Sequence, residues 1–175
     1  YYSSGYDKAS IAESYQQEIQ NYVQEYTLMK KLQGQTNIGS CDDFTVGPHV
    51  NRIGGDIFIR MELLTSLQQV LRQKTLSVQE IIKLGKDISN ALILCERKNI
   101  VHRDIKPANI MVSEFGDYKL GDFGVSKVMS HTTGATMTGT EGYMAPEVLH
   151  IEKYGKEVDI YSLGIVMYWL LNNRR

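Results

Sequence analysis

His102-Arg103-Asp104-Ile105-Lys106-Pro107-Ala108-Asn109-Ile110 stands between an apolar-periodic segment that ends near Asn99 and a short β-competent run over 110–112. Residues 104–109 concentrate a carboxylate, an ammonium and a carboxamide: Asp104, Lys106 and Asn109. Such a set handles phosphate and metal. Asp104 can orient and deprotonate a hydroxyl, Lys106 can neutralise charge on a transferring phosphoryl group, and the Asn109 amide oxygen can bind Mg²⁺, a hard ion that prefers oxygen. Asp122-Phe123-Gly124 follows the next β-like run, 118–120, and brings a second oxygen ligand. Any one of these side chains alone also suits an ordinary loop cap. Their joint order is what points to chemistry.

Working outward, the neighbouring segments predict an α+β order. Upstream, Ile11, Tyr15, Ile19, Tyr22, Tyr26, Met29 and Leu32 recur at spacings of three and four, which predicts one long amphipathic helix ending near Gly34. Residues 35–55 are rich in Gly, Asn and Asp and read as loop with one weak strand at Phe44-Thr45-Val46, whereas 56–64 (DIFIRMELL) predicts a strand. Residues 66–72 suggest a short helix. Ser77-Val78-Gln79-Glu80 fits a capping box, and Ile81, Leu84, Ile88, Leu92 and Cys95 give the helix behind it one buried face. Downstream, 110–112 and 118–120 pair as a hairpin through Phe115-Gly116-Asp117. A Gly- and Thr-rich stretch over 130–142 separates this hairpin from a last helix at about 158–171.

Composition bounds the partners. The 175 residues suit one domain or a piece of one, on a prior of roughly 100 to 200 residues per domain. With 42% hydrophobic residues and 3 prolines, a wholly disordered chain is excluded. Nineteen Lys and Arg against 20 Asp and Glu leave a formal charge of -1, so no bulk positive field exists to hold nucleic acid, and an anionic ligand must be held locally. Cys41 and Cys95 lack the CxxC spacing of a zinc site or a disulfide framework, so a reducing, cytoplasmic setting is expected. The apolar run over 160–171 falls short of the roughly 20 residues of a membrane span and reads as a buried helix. Tyr1-Tyr2-Ser3-Ser4 carries no signal-peptide pattern and reads as a cut rather than a terminus.

HRDIKPANI, Asp122-Phe123-Gly124 and Ala145-Pro146-Glu147, in that order and spacing, resemble the catalytic loop, metal-binding loop and activation segment of eukaryotic-type protein kinases. The likeness runs from about Tyr15 onward. It includes Asp159 in DIYSLG, similar to the helix that anchors the catalytic loop, and Met61-Glu62-Leu63-Leu64, similar to the hinge that grips adenine. Lys106 together with Thr140 resembles the serine/threonine branch, and RMELLTSL, KLGDFG and DIYSLGIVMYWLLNN resemble bacterial members from Firmicutes.

The resemblance implies a partial protein-kinase-like α+β fold, with 1–60 a partial N-lobe, 61–66 the hinge and 67–175 a partial C-lobe. It makes Asp104 the catalytic base, Lys106 the γ-phosphate contact, and Asn109 and Asp122 the Mg²⁺ ligands. Met61, Glu62 and Leu64 would border ATP, and Glu25 would pair with the ATP-binding lysine. Met61 reads equally well as plain core, and His102 as a structural residue that hydrogen-bonds the loop. Arg103 implies control by phosphorylation, with Ser130, Thr132, Thr133, Thr136 and Thr138 as candidate acceptors.

Both ends depart from the family pattern. No GxGxxG occurs and no VAIK-like strand precedes Glu25. Lys8 lacks the β-branched run of a strand lysine, so residues 1–14 are expected to form a connection before the long helix. The chain stops at Arg175, before the helices that complete such a lobe and supply a partner for Glu147. The expectation is therefore a serine/threonine protein kinase, using ATP and Mg²⁺ on protein Ser/Thr hydroxyls, of which this chain is an incomplete and weakly active or inactive piece. The alternatives are a non-catalytic kinase-like interaction module and an aminoglycoside-type phosphotransferase, the latter disfavoured by Ala145-Pro146-Glu147 and by the GTEGY segment. A remnant sheet would expose an edge and leave room for a homodimer.

Overall fold

The computed structural model describes residues 8–48, 55–124, 127–128 and 139–172. In chain order the elements are α1 (Lys8–Lys31), β1 (Cys41–Pro48), β2 (Gly55–Met61), β3 (Thr65–Ser66), α2 (Leu67–Gln73), α3 (Val78–Arg97), β4 (Ile100–Val101), β5 (Ile110–Val112), β6 (Tyr118–Leu120), β7 (Lys127–Val128), α4 (Pro146–Leu149) and α5 (Glu157–Leu171). A 3₁₀ turn at Glu141–Tyr143 precedes α4. These helices and small antiparallel sheets form the partial α+β fold that the motifs implied.

The start of α1 corrects one expectation. Lys8 opens the helix, so 8–14 are not a connection; nothing from Ala9 to Glu13 breaks a helix, and the pattern had been read only from its first large apolar residue. Among the described side chains, α1 enters the core near its C-terminus through Leu28 and Met29, with Leu32 buried just behind it. Tyr26 stacks on Phe44 at 5.3 Å, and Lys30 Nζ donates to the Asp42 carbonyl at 2.9 Å, which fastens α1 to β1.

That strand is the second correction. β1 runs well beyond Phe44-Thr45-Val46 and pairs antiparallel with β2 from Cys41↔Met61 to Pro48↔Gly55. Asp43, Gly47 and Pro48 have poor strand propensity, but pairing with β2 overrides it, while Asp42 falls in an irregularity of the register. β2 in turn ends at Met61, short of the Leu64 expected, because the Glu62 N–H turns to the Ser40 carbonyl at 3.1 Å. Leu63 is left 98% exposed.

The helical half follows its pattern. Ser66 and Ser77 each close a capping box, with Gln69 and Glu80, at the starts of α2 and α3. The Lys74 ammonium and the Ser77 N–H and hydroxyl hold the Glu80 carboxyl down to about 2. Ile81, Leu84, Ile88, Leu92 and Cys95 are buried, as the spacing of three and four predicted. Gly85 lets α5 come close, since a Cβ there would lie 2.7 Å from Met167 Cε. Val158, Leu163, Val166 and Leu170 of α5 are buried, but Ile160, Tyr161, Tyr168 and Leu171 are exposed, so α5 buries one face and is not the buried helix that its apolar run suggested.

The β5–β6 hairpin forms as read, and β3 adds to its other edge in the order β3-β5-β6. Asp87 of α3 accepts the Tyr118 N–H at 3.0 Å and fixes β6 against the helix. Both cysteines are buried and free, and burial pushes both thiols up, Cys95 to about 12. No helix among the described residues is long and apolar enough to cross a membrane.

Ile88, fully buried between these elements, reports on this core. Ile88→Ala should lower unfolding free energy by about 2–5 kcal/mol, and Ser77→Ala by about 1 kcal/mol, both read from urea midpoints at unchanged slope.

Candidate active site

The site is assembled from the backbone of β4 outward. Asp159, in the first turn of α5, is only 3% exposed. Its Oδ2 accepts the His102 N–H and its Oδ1 accepts the Arg103 N–H, each at 2.7 Å. Burial pushes the Asp159 carboxyl up, while His102 and the two N–H bonds pull it back. Arg103 sits at φ 71, a left-handed conformation that is unfavourable for a side chain of its size, and the Asp159 bonds help to hold it there.

His102 is fully buried and structural, as its neighbours show. Its Nδ1 accepts the Asp104 N–H at 3.4 Å, so Nε2 carries the proton and donates to the Gly121 carbonyl at 2.9 Å. The ring meets Phe123 edge-on at 4.9 Å between centroids. One imidazole thus bridges the two loops that the sequence marked.

Asp104, Lys106 and Asn109 come together around one carboxylate. Asp104 Oδ1 accepts the Thr140 hydroxyl at 2.7 Å, and Oδ2 accepts Lys106 Nζ at 2.7 Å and Asn109 Nδ2 at 2.9 Å. Lys106 Nζ also donates to Thr140 Oγ1 at 2.7 Å, which closes a triangle. Burial alone would raise the Asp104 carboxyl, but Lys106, Thr140 and Asn109 together hold it below its ordinary value. Asn109 Nδ2 donates further to the Asp104 carbonyl, so its amide nitrogen is committed and its oxygen is the atom that remains.

Thr140 had been noted only as a mark of one branch. Its position depends on Gly139, at φ 127, where a Cβ would overlap the Arg103 carbonyl. A glycine before a hydroxyl residue is the signal that would have found it.

Asp122 lies at the neighbouring turn, exposed and at φ 54, with its Oδ1 accepting the Gly124 N–H at 3.3 Å. The Gly121 N–H to Asn109 carbonyl bond, 3.0 Å, ties that turn to the Asp104 loop. Glu25 reaches the same turn and accepts the Phe123 N–H; burial and the Asp122 charge push its carboxyl up. No cation pairs with Glu25 among the described residues. Lys8 opens the same helix, 17 residues before Glu25, about 25 Å along its axis.

The hinge-like residues are placed differently. Met61 ends β2 at 46% exposure, so it is not core. Glu62 is held by Lys119, whose Nζ lies 2.6 and 2.9 Å from its two carboxylate oxygens, an ion pair that spacing alone did not suggest. Glu62 and Leu64 line a cavity of about 750 Å³ with Lys119 and Val112. Lys106 and Thr140 line a separate one of about 590 Å³. Ser130, Thr132, Thr133, Thr136 and Thr138 lie outside the described residues.

Known proteins align with this arrangement over most of the chain. The family model described as protein kinase domain matches residues 7–175. The chain is 34% identical over 174 residues to the probable serine/threonine-protein kinase nek3 of Dictyostelium discoideum, covering 92% of this chain and 15% of that protein. It is 35% identical over 138 residues to the carbon catabolite-derepressing protein kinase of Secale cereale, covering 72% and 27%. With the calcium/calmodulin-dependent protein kinase type 1 of Caenorhabditis briggsae the identity is 34% over 121 residues, covering 66% and 34%. The chain therefore spans about a third or less of the length of these curated relatives.

Two outcomes test this geometry. Gly139→Ala should cost about 1–3 kcal/mol in urea unfolding, while Gly142→Ala, with nothing within 4 Å of the new Cβ, should stay within about 0.5 kcal/mol. Thr140→Val removes a donor to the ionised carboxylate, so carboxyl-carbon NMR titration should show the Asp104 pKa rising toward its ordinary value.

Proposed function

The chain belongs to the protein kinase domain family, and we propose that it works as a serine/threonine kinase domain, moving the γ-phosphoryl group of ATP to protein Ser or Thr hydroxyls. The observation that carries this reading is the Asp104 carboxylate, buried to 9% exposure yet held ionised by Lys106, Asn109 and Thr140. A carboxylate so placed is suited to orient an acceptor hydroxyl and take its proton at Oδ.

The donor set fits Mg-ATP. Asn109 offers its amide oxygen and Asp122 an exposed carboxylate, and no group of three His, Cys, Asp or Glu among the described residues could hold a metal without further ligands. Mg²⁺ behaves in this way, using one or two protein oxygens together with phosphates and water. When bound, Mg-ATP would supply the phosphoryl group and neutralise its charge. Lys106 keeps a cation beside the acceptor, and Thr140 holds Lys106 and Asp104 in one triangle. Met61, Glu62 and Leu64 are assigned to the adenine side, with 1–60, 61–66 and 67–175 as partial N-lobe, hinge and partial C-lobe.

One observation favours the second reading, a non-catalytic or weakly active kinase-like module: Glu25 meets the Phe123 N–H and no cation among the described residues. Other assignments rest on less. Among the described residues β2 pairs with β1 alone, and it exposes Phe58 and Ile59, which supports a homodimer through its open edge. Two free, buried cysteines suit a cytoplasmic setting. The wording of RMELLTSL and KLGDFG supports a bacterial, Firmicutes-like origin.

A radiolabel-transfer assay from ATP to a Ser/Thr protein substrate separates the two readings. Asp104→Asn should lower the rate by about 10²- to 10⁴-fold. Transfer that survives Asp104→Asn unchanged contradicts the assignment, and absence of transfer by the native chain supports the module.

A further inference from the structure

The cavity of about 590 Å³ beside the Asp104 triangle has no carboxylate among the described residues of its lining. Its charged members are Lys106 and Arg72, both cations, and the rest of its wall is mainly Leu71, Pro107, Ala108, Tyr143 and Trp169. Lys106 is already paired with Asp104. Arg72, on the exposed side of α2, has no ion pair among the described residues. Building on the kinase reading, we infer that this cavity is the subsite for the substrate segment next to the acceptor hydroxyl, taking an apolar side chain and a neighbouring carboxylate and excluding basic peptides.

Its position follows from continuity with the site. Lys106 and Thr140 form one wall and are the same side chains that hydrogen-bond Asp104, so a peptide that offers its hydroxyl to Asp104 must lay a flanking residue into this space. The volume falls within the usual 300–1,000 Å³ of a ligand pocket. The walls are also fixed before anything binds. The Gln68 N–H donates to the Pro107 carbonyl at 3.0 Å, which joins α2 to the loop, and Ser162 Oγ donates to the Tyr143 carbonyl at 2.7 Å, which joins the 3₁₀ turn to α5. Trp169 and Tyr143 pack against the main core, so they act as rigid aromatic anchors at low entropic cost.

Selectivity then follows from charge and size. The short Ala108 side chain leaves room that a larger residue would fill, and the aromatic wall rewards an apolar side chain. Arg72 attracts a carboxylate and repels Lys or Arg, which would lose hydration without finding an acid.

Fluorescence anisotropy on the full chain tests this with three labelled serine peptides of equal length, flanked by Leu, Phe and Glu, by Arg, or by Gln and Gly. The apolar-acidic peptide should bind about tenfold tighter than the basic one. Arg72→Glu, at an exposed position, should remove that ranking or invert it while leaving the unfolding midpoint unchanged, and Ala108→Glu should shift it in the same direction. Equal or tighter binding of the basic peptide, a ranking that Arg72→Glu does not move, or no binding of any peptide overturns the inference. Because binding is read without transfer, a chain that selects the apolar-acidic peptide but moves no phosphate sinks the transferase reading alone, and a chain that phosphorylates but prefers basic flanks sinks the subsite alone.

Discussion

A buried carboxylate bonded to two backbone amides holds this molecule's chemistry in place. Asp159 fixes the N–H groups of His102 and Arg103, so the loop that follows β4 has one entry direction and a left-handed residue at its second position. Without those oxygens, each stranded buried N–H would cost about 1–3 kcal/mol. The apolar surroundings that raise the Asp159 carboxyl are the same that keep water from competing for the amides.

From that anchor the site grows by short links rather than by one cavity. His102 reaches Gly121, Gly121 reaches Asn109, and Asn109 reaches Asp104, so the Asp104 loop and the Asp122 turn are tied together. Gly139 then brings Thr140 onto Asp104 from the far side of the chain, by virtue of lacking a Cβ against the Arg103 carbonyl. The Asp104 carboxyl stays ionised despite its burial because every oxygen has a donor. The neighbouring groove, walled by cations and aromatics, opens beside the same carboxylate.

Much of this was legible in the sequence, for reasons that differ by element. The α3 face and its Ser77 cap follow from local rules, an apolar period and a side chain three residues from its acceptor, and both appear as read. The grouping of Asp104, Lys106 and Asn109 followed from their closeness in the chain. Contacts between distant segments were not legible. β1 extends past Phe44-Thr45-Val46 because β2 lies beside it, and the two-residue strands β3, β4 and β7 have no pattern of their own. Thr140 on Asp104 and Lys119 on Glu62 join residues 36 and 57 apart, distances at which no periodicity operates. Glu25 was expected to pair with a lysine, and among the described residues it accepts the Phe123 N–H instead.

The proposed function requires that the Asp104 and Asp122 loops together hold a nucleotide phosphate and its Mg²⁺. Isothermal titration calorimetry of the native chain and of Asp122→Ala with Mg-ATP addresses it most directly, because Asp122 is exposed and its loss should spare the fold. Such a site gives saturable heat in the native chain and loses it in the variant. Binding that is equal in both, or absent from the native chain, would contradict it.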